Sequence, residues 1–294
     1  MSGSPQLKKR PDWLKVKLAR TDAFEDTLNV IKGREIYTVC EEALCPNIGE
    51  CWRNKTATFL IMGNVCTRRC GFCNIKVGTP QALDKSEPEK VAHVISELEI
   101  KYAVITSVTR DDLPDGGATH FARVIKHIRM FDKTIEVEIL TPDFKCDENA
   151  MKIVADAKPD VFGHNLEIVK RLHHEIKRPP ASYDASLSLL KRIKAIDATI
   201  VTKTGVMVGI GETREDILGL IEDVAAAKID ILTIGQYLTP TTSHYPIVKY
   251  VTPDEFEEYR EYGEQIGIKK VISGPLVRSS YRAREVYSSL CHLD

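Results

Sequence analysis

Ala57-Thr-Phe-Leu-Ile-Met-Gly-Asn-Val-Cys66-Thr-Arg-Arg-Cys70-Gly-Phe-Cys73 runs from an apolar segment into a loop with three thiols at C-x3-C-x2-C spacing. The short unbroken run Ala57 to Gly63 predicts a buried strand, and the cysteines follow directly from its end. Three thiolates this close are too many for a nucleophile-plus-base site. They are one short of a closed four-cysteine site for zinc or an iron–sulfur cube. A four-iron cube on Cys66, Cys70 and Cys73 would leave its fourth iron open to a ligand that is not protein.

Outward from this loop, strands alternate with helices. Strands are expected at 102–108, 134–140, 160–165, 199–208 and 229–237, and 269–273 is a candidate for a last short one. Helices are expected over 86–98, 118–131, 148–157, 166–176, 183–195, 213–227 and 252–265. Ser86 stands as N-cap of the first, and Pro253 takes the favoured first position of the last. Upstream, residues 11–34 have helical spacing, with Thr21 or Asp22 as a cap and Gly33 as a stop. Alternating elements imply parallel βαβ units. The expected fold is α/β: an open, partial parallel β/α barrel of about six strands with N- and C-terminal extensions. The expected division is 1–56, 57–268 and 269–294.

Functional groups in such a fold gather at the C-terminal strand ends. Cys66, Ser107, Asp111, Asn165 and Gln236 occupy such positions, and Glu138 lies late in its strand. Lys203 to Glu212 surround the end of the fifth strand and include the pair Gly209 and Gly211. Each has a plainer reading: a strand-end Ser or Asn as a cap, Gly-x-Gly as a tight turn, a Lys or Glu inside a barrel as half of an ion pair.

A second trio, Cys40-Glu-Glu-Ala-Leu-Cys45-Pro-Asn-Ile-Gly-Glu-Cys51, precedes the first strand. Six of the eight cysteines thus lie between Cys40 and Cys73. Without an apolar leader, that density reads as metal ligation in a reducing compartment rather than disulfides, and a cytoplasmic location is expected. A net charge of −1 gives no reason to expect nucleic-acid or acidic-membrane binding. No apolar run approaches the roughly 18 residues that cross a bilayer. The first eleven residues read as a disordered lead-in.

The C-x3-C-x2-C loop, with Phe72 before its last Cys, resembles the signature of radical S-adenosylmethionine (SAM) enzymes. The two trios together resemble lipoyl synthase in particular. So do Thr106-Ser-Val-Thr-Arg-Asp-Asp-Leu-Pro-Asp-Gly-Gly117, Glu136 to Asp143, Thr202 to Thr213 and Gly274-Pro-Leu-Val-Arg-Ser-Ser-Tyr281. The resemblance covers about residues 37 to 285. It is weakest over Leu166 to Ser182, which carries His173-His174 and Pro179-Pro180 and is a candidate for carrier docking.

This resemblance implies two 4Fe-4S clusters and SAM. Cys66, Cys70 and Cys73 would hold the cluster whose open iron takes SAM and generates a hydrogen-abstracting radical. Cys40, Cys45 and Cys51 would hold an auxiliary cluster that donates sulfur. Its fourth, catalytically released ligand would be a serine of the Arg278-Ser-Ser-Tyr281 motif, Ser280, with Ser279 as the alternative. Ser107, Glu138, Asn165, Lys203, Gly209 and Gly211 would contact SAM, and Arg278 would orient the serine loop or contact substrate. The implied substrate is an octanoyl-lysine on a lipoyl carrier protein or domain, sulfurated at C6 and C8. Implied partners are a low-potential electron donor (ferredoxin or flavodoxin) and an iron–sulfur carrier for cluster repair. The competing readings are another radical SAM sulfur inserter or methylthiotransferase, and a zinc-stabilised binding protein.

Overall fold

A computed structural model describes residues 9–16, 21–176 and 182–291. Pro179-Pro180 and the first eight residues lie outside them. Upstream elements are α1 (Asp22–Gly33), β1 (Tyr37–Thr38), α2 (Val39–Glu42) and α3 (Ile48–Arg53). The barrel begins with β2 (Thr58–Ile61), followed by two short strands, β3 (Val65–Cys66) and β4 (Lys76–Val77). Then come α4 (Glu87–Glu97), β5 (Tyr102–Ser107), α5 (Ala118–Phe131), β6 (Glu136–Leu140), α6 (Glu148–Asp156) and β7 (Val161–Gly163). The remainder is α7 (Tyr183–Ile196), β8 (Val201–Val208), α8 (Arg214–Ala226), β9 (Ile231–Gln236), α9 (Pro253–Gln265), β10 (Lys270–Gly274) and α10 (Ala283–Cys291).

The main sheet has the order β1-β2-β5-β6-β7-β8-β9-β10, while β3 and β4 pair apart from it. Every pairing from β2 to β10 is parallel, and β1 alone is antiparallel. β2 and β10 do not pair, so the barrel is open on that side. Period-two alternation explains the layering. Phe59, Ile61, Ile105, Val137 and Ile139 are fully buried in the main core, with Ile95 of α4 and Phe121 and Val124 of α5. The alternate positions Thr58, Thr106, Glu138 and Thr204 carry polar groups.

The open parallel barrel is as expected, and the candidate last strand is its seventh, Lys270–Gly274 pairing along its length with β9. Two expectations change. Residues 166–176 are not an α-helix and contain only a 3-10 turn, Lys170–Leu172. β7 is three residues long and β8 eight, so β8 has backbone groups that β7 cannot satisfy. The chain after β7 pairs with them instead: Glu167 N–H donates to Gly205 O at 2.9 Å and Met207 N–H to Glu167 O at 2.7 Å. Ser86 does not cap α4 with its hydroxyl, which donates to Asp84 Oδ1 at 2.6 Å. By contrast, Thr213 and Thr252 begin α8 and α9 with complete capping boxes, and Pro253 stands in the first turn of α9.

The C-terminal helix α10 was not expected from local signals. Its Ala283 packs with Tyr102, Val104 and Val161, and Tyr287 stacks 5.8 Å from Tyr102, closing the barrel at the N-terminal end of β5. No helix among the described residues is long and apolar enough to cross a membrane.

Candidate active site

The loop with Cys66, Cys70 and Cys73 is built from the end of β2. Met62 and Gly63 turn the chain with positive φ, 66° and 84°. Such a conformation is costly for Met and is held from both sides. Glu87 accepts from Met62 N–H at 2.8 Å, and Arg110 donates to Met62 O at 3.3 Å. Glu87 is itself fixed by His120 Nε2 at 2.6 Å. β3 and β4 then close the base of the loop, with Gly78 N–H on Cys66 O at 3.1 Å.

Arg68 binds the loop to the strand ends. Its Nε and Nη2 donate to Asp111 at 2.7 Å each, and Nη1 and Nη2 donate to Asp143 at 2.8 Å each. Two bidentate pairs use the whole planar fork of the guanidinium, which a lysine could not reproduce. Burial opposes ionisation of Asp143, but the Arg68 hydrogen bonds and charge outweigh it and hold the carboxyl below its ordinary range. On the other flank, Tyr245 N–H donates to Gly71 O at 3.0 Å and His244 Nε2 to Cys73 O at 3.1 Å. Position 71 must be glycine, since a Cβ there would lie 2.5 Å from Ile176 O.

The trio lines a cavity of about 180 Å³ together with Ser107, Leu140 and Asn165. The Ser107 hydroxyl is buried without a hydrogen-bond partner. A buried orphan at a cavity wall suits a polar ligand that completes it.

Cys40 lies in α2, directly after the edge strand β1, Cys51 lies in α3, and Cys45 lies between the two helices. Burial, then the Cys45 charge, pushes the Cys40 thiol up to about 11. Burial, then Cys40 and Cys45, pushes Cys51 up to about 12. Backbone hydrogen bonds hold the first two in one tight loop: Cys45 N–H donates to Cys40 O at 3.1 Å and Ile48 N–H to Cys45 O at 3.3 Å. The segment after β10 closes over them: Asn47 Nδ2 donates to Leu276 O at 2.8 Å, and Tyr281 Oη donates to the Glu50 carboxylate at 3.3 Å. Arg278 is the positive charge nearest in effect to Cys45. Thr58 Oγ1 donates to Ser280 Oγ at 2.8 Å, and Thr58 also supplies a backbone hydrogen bond to Cys40. Ser279 turns the other way, its Oγ 2.9 Å from Asn165 Nδ2.

The two trios are neighbours. Asn74 Nδ2, one residue past Cys73, donates to Glu42 O at 2.8 Å, and Asn64 Nδ2 donates to Glu42 Oε1 at 3.3 Å. None of these six cysteines is in a disulfide. No three His, Cys, Asp or Glu side chains among the described residues converge on a single-ion site. One zinc would draw its thiolates to about 2.3 Å from a common centre. A cube meets each thiolate at a separate iron, and an all-sulfur donor set spread around a loop fits that arrangement.

Of the residues expected at SAM, Ser107 and Asn165 line the cavity. Glu138 and Lys203 do not: they pair with each other at 2.8 and 2.9 Å, both nearly unexposed, and Tyr102 Oη donates to Glu138 at 2.6 Å. Gly209 and Gly211 also lie off the cavity wall, their loop wrapped around its own Glu212, which accepts from Ile210 N–H at 3.0 Å and Gly211 N–H at 3.1 Å. Gly209 has no room for a side chain, since a Cβ would meet Gln236 Nε2 at 2.1 Å. Sequence reading passed over Arg68, Asp143, Glu42 and Asn74. Arg68 alone carried a signal, as a charged residue inside the cysteine loop.

Residues 60–224 match the Radical SAM superfamily. Lipoyl synthase of Caldicellulosiruptor saccharolyticus is 50% identical over 277 residues, 94% of this chain and 97% of that protein. Lipoyl synthase of Caldicellulosiruptor bescii is 51% identical over 275 residues, 94% of each chain. A crystal structure of Streptococcus suis SuiB bound to S-adenosylmethionine superposes with a TM-score of 0.53 at 14% identity, over 74% of this chain and 50% of that one. At that identity the likeness is one of fold.

Proposed function

We infer the reaction from one premise: this chain belongs to the lipoyl synthase family of the radical SAM superfamily. It inserts two sulfur atoms, at C6 and C8, into an octanoyl chain on a lysine of a lipoyl carrier protein or domain. Cys66, Cys70 and Cys73 hold one 4Fe-4S cluster, where SAM also binds, and Cys40, Cys45, Cys51 and Ser280 hold a second. The chemistry these groups supply when bound is hydrogen abstraction from an unactivated carbon and delivery of the sulfur that takes the hydrogen's place.

The residues of the chain do the positioning. Arg68, through Asp111 and Asp143, fixes the cysteine loop against the strand ends so that reacting atoms meet in one geometry. Ser107 and Asn165 hold the polar end of SAM, the first with a hydroxyl that otherwise has no partner. We assign Glu138, Lys203, Gly209 and Gly211 to the scaffold rather than to SAM. Ser280 would serve as the fourth ligand of the second cluster in its deprotonated form, which the Thr58 hydroxyl would favour by donating to its oxygen. As an oxygen donor Ser280 would be a harder ligand than the three thiolates, and so the odd member of an otherwise soft donor set. The partners are the octanoylated carrier, a low-potential donor such as ferredoxin or flavodoxin, and an iron–sulfur carrier that rebuilds the second cluster.

The observation that carries this reading is the pairing of two disulfide-free thiol trios through Glu42, with Ser280 beside one of them. The test uses anaerobically reconstituted protein, SAM, a reductant and an octanoyl-lysine peptide. The expected result is a peptide gaining two sulfurs, from protein with about eight irons and matching sulfide on a two-cube count. A colourless zinc-loaded protein, or a peptide with no added sulfur, rejects it.

A further inference from the structure

Ser279 and Ser280 are consecutive, and their hydroxyls point into different sites. Ser280 Oγ accepts from Thr58, beside Cys40. Ser279 Oγ lies 2.9 Å from Asn165 Nδ2 and 3.1 Å from Asn165 Oδ1, and Asn165 lines the cavity in front of Cys66. Two successive residues of one loop thus join both sites.

The contact is close-packed. Gly205 lies beneath it, and a Cβ there would fall 2.9 Å from Ser279 Oγ, 2.9 Å from Asn165 Oδ1 and 2.7 Å from Thr233 Oγ1. The loop is also pressed onto β9, where a Cβ on Gly235 would lie 2.2 Å from Val277 O. A segment without free space passes on a displacement at one end instead of absorbing it. An amide that turns to meet a ligand must change what it offers the Ser279 hydroxyl, and the next residue in the chain moves with it.

We propose that Ser279 is a positioning residue that couples SAM binding in the cavity to the Ser280 ligand of the Cys40–Cys45–Cys51 site. This rests on the function proposed above. Coupling between two binding sites is reciprocal, so the state of the second site must alter affinity for SAM. The coupling would report an intact auxiliary cluster to the SAM site and limit SAM cleavage when no sulfur donor is present.

The test is a binding cycle without turnover. SAM dissociation constants are measured by calorimetry on reconstituted protein, with intact Cys40 and as Cys40→Ala, each with and without Ser279→Ala. The expected result is that Cys40→Ala changes SAM affinity about fivefold or more, a typical coupling. That change should vanish in the Ser279→Ala background. Gly205→Ala, whose new methyl displaces the Ser279 hydroxyl from beneath, should abolish it as well. Equal effects of Cys40→Ala with and without Ser279, or no effect at all, overturn the inference and leave the function standing. Unchanged SAM affinity in Cys66→Ala overturns the function, and the inference with it.

Discussion

Asn74 donates its side-chain amide to the main-chain carbonyl of Glu42 at 2.8 Å, joining the loop that ends in Cys73 to the loop that begins at Cys40. The reaction proposed above removes hydrogen at one site and adds sulfur from the other, and so depends on the distance between them. Asn74→Ala removes one hydrogen bond, worth about 1 kcal/mol, and should leave the fold intact while loosening that distance. The expected outcome is more 5′-deoxyadenosine released per sulfur inserted, read by quantifying both products. An unchanged ratio would show that this contact does not set the spacing.

Arg68 neutralises two carboxylates, one of them almost fully buried. Arg68→Met leaves Asp143 buried without its partner, at a cost of about 3–5 kcal/mol. Iron bound by the Cys66 site should fall with it. The acid limb follows from sign: a carboxyl whose native pKa is lowered stabilises the fold fully above the ordinary value of about 3.9. That stability is lost as pH falls through the lowered native value. Asp143→Asn should therefore flatten the dependence of unfolding free energy on pH in this acid range, as measured by urea titration.

Lys203 and Glu138 test whether buried charge marks a ligand site or a scaffold. Removing one partner, as in Lys203→Met, should cost about 3–5 kcal/mol, whereas an apolar pair replacing both should cost far less. Because the pair lies off the cavity, the double variant Lys203→Met, Glu138→Leu should bind SAM with near-normal affinity. A large loss of affinity in a folded double variant would return these residues to the SAM site.

The thiols make a prediction for metal removal. Burial and neighbouring thiols hold Cys40 at about 11 and Cys51 at about 12, and burial with Glu167 and Cys66 raises Cys73 to about 11. The iron-free protein should then alkylate about a hundredfold more slowly at Cys40 and Cys73, and about a thousandfold more slowly at Cys51, than a free cysteine at neutral pH, because only thiolate reacts. Reloading iron must release about one proton per ligating thiol, which a weakly buffered titration detects. Fast alkylation of the iron-free protein would contradict the packing described.

What the sequence determined by itself is local. The two thiol spacings, the strand leading into Cys66 and the strand–helix alternation depend on residues within a few positions of one another, where chain connectivity and periodicity limit the outcomes. Helices such as Ala118–Phe131 are legible for the same reason. Tertiary structure decided what depends on partners far along the chain. Residues 166–176 left the expected helix because β8 offered unpaired backbone groups, and Lys270–Gly274 became a full strand because β9 offered an edge. Ser279 and Ser280 are equivalent on paper; they separate only when Asn165 and Thr58, more than a hundred residues away, come to opposite sides of one loop. Glu138 and Lys203 pair with each other because the sheet places them 2.8 Å apart inside the barrel, away from the cavity lining. A charge removed from water takes the nearest opposite charge as its partner, and only the assembled barrel determines which charge that is.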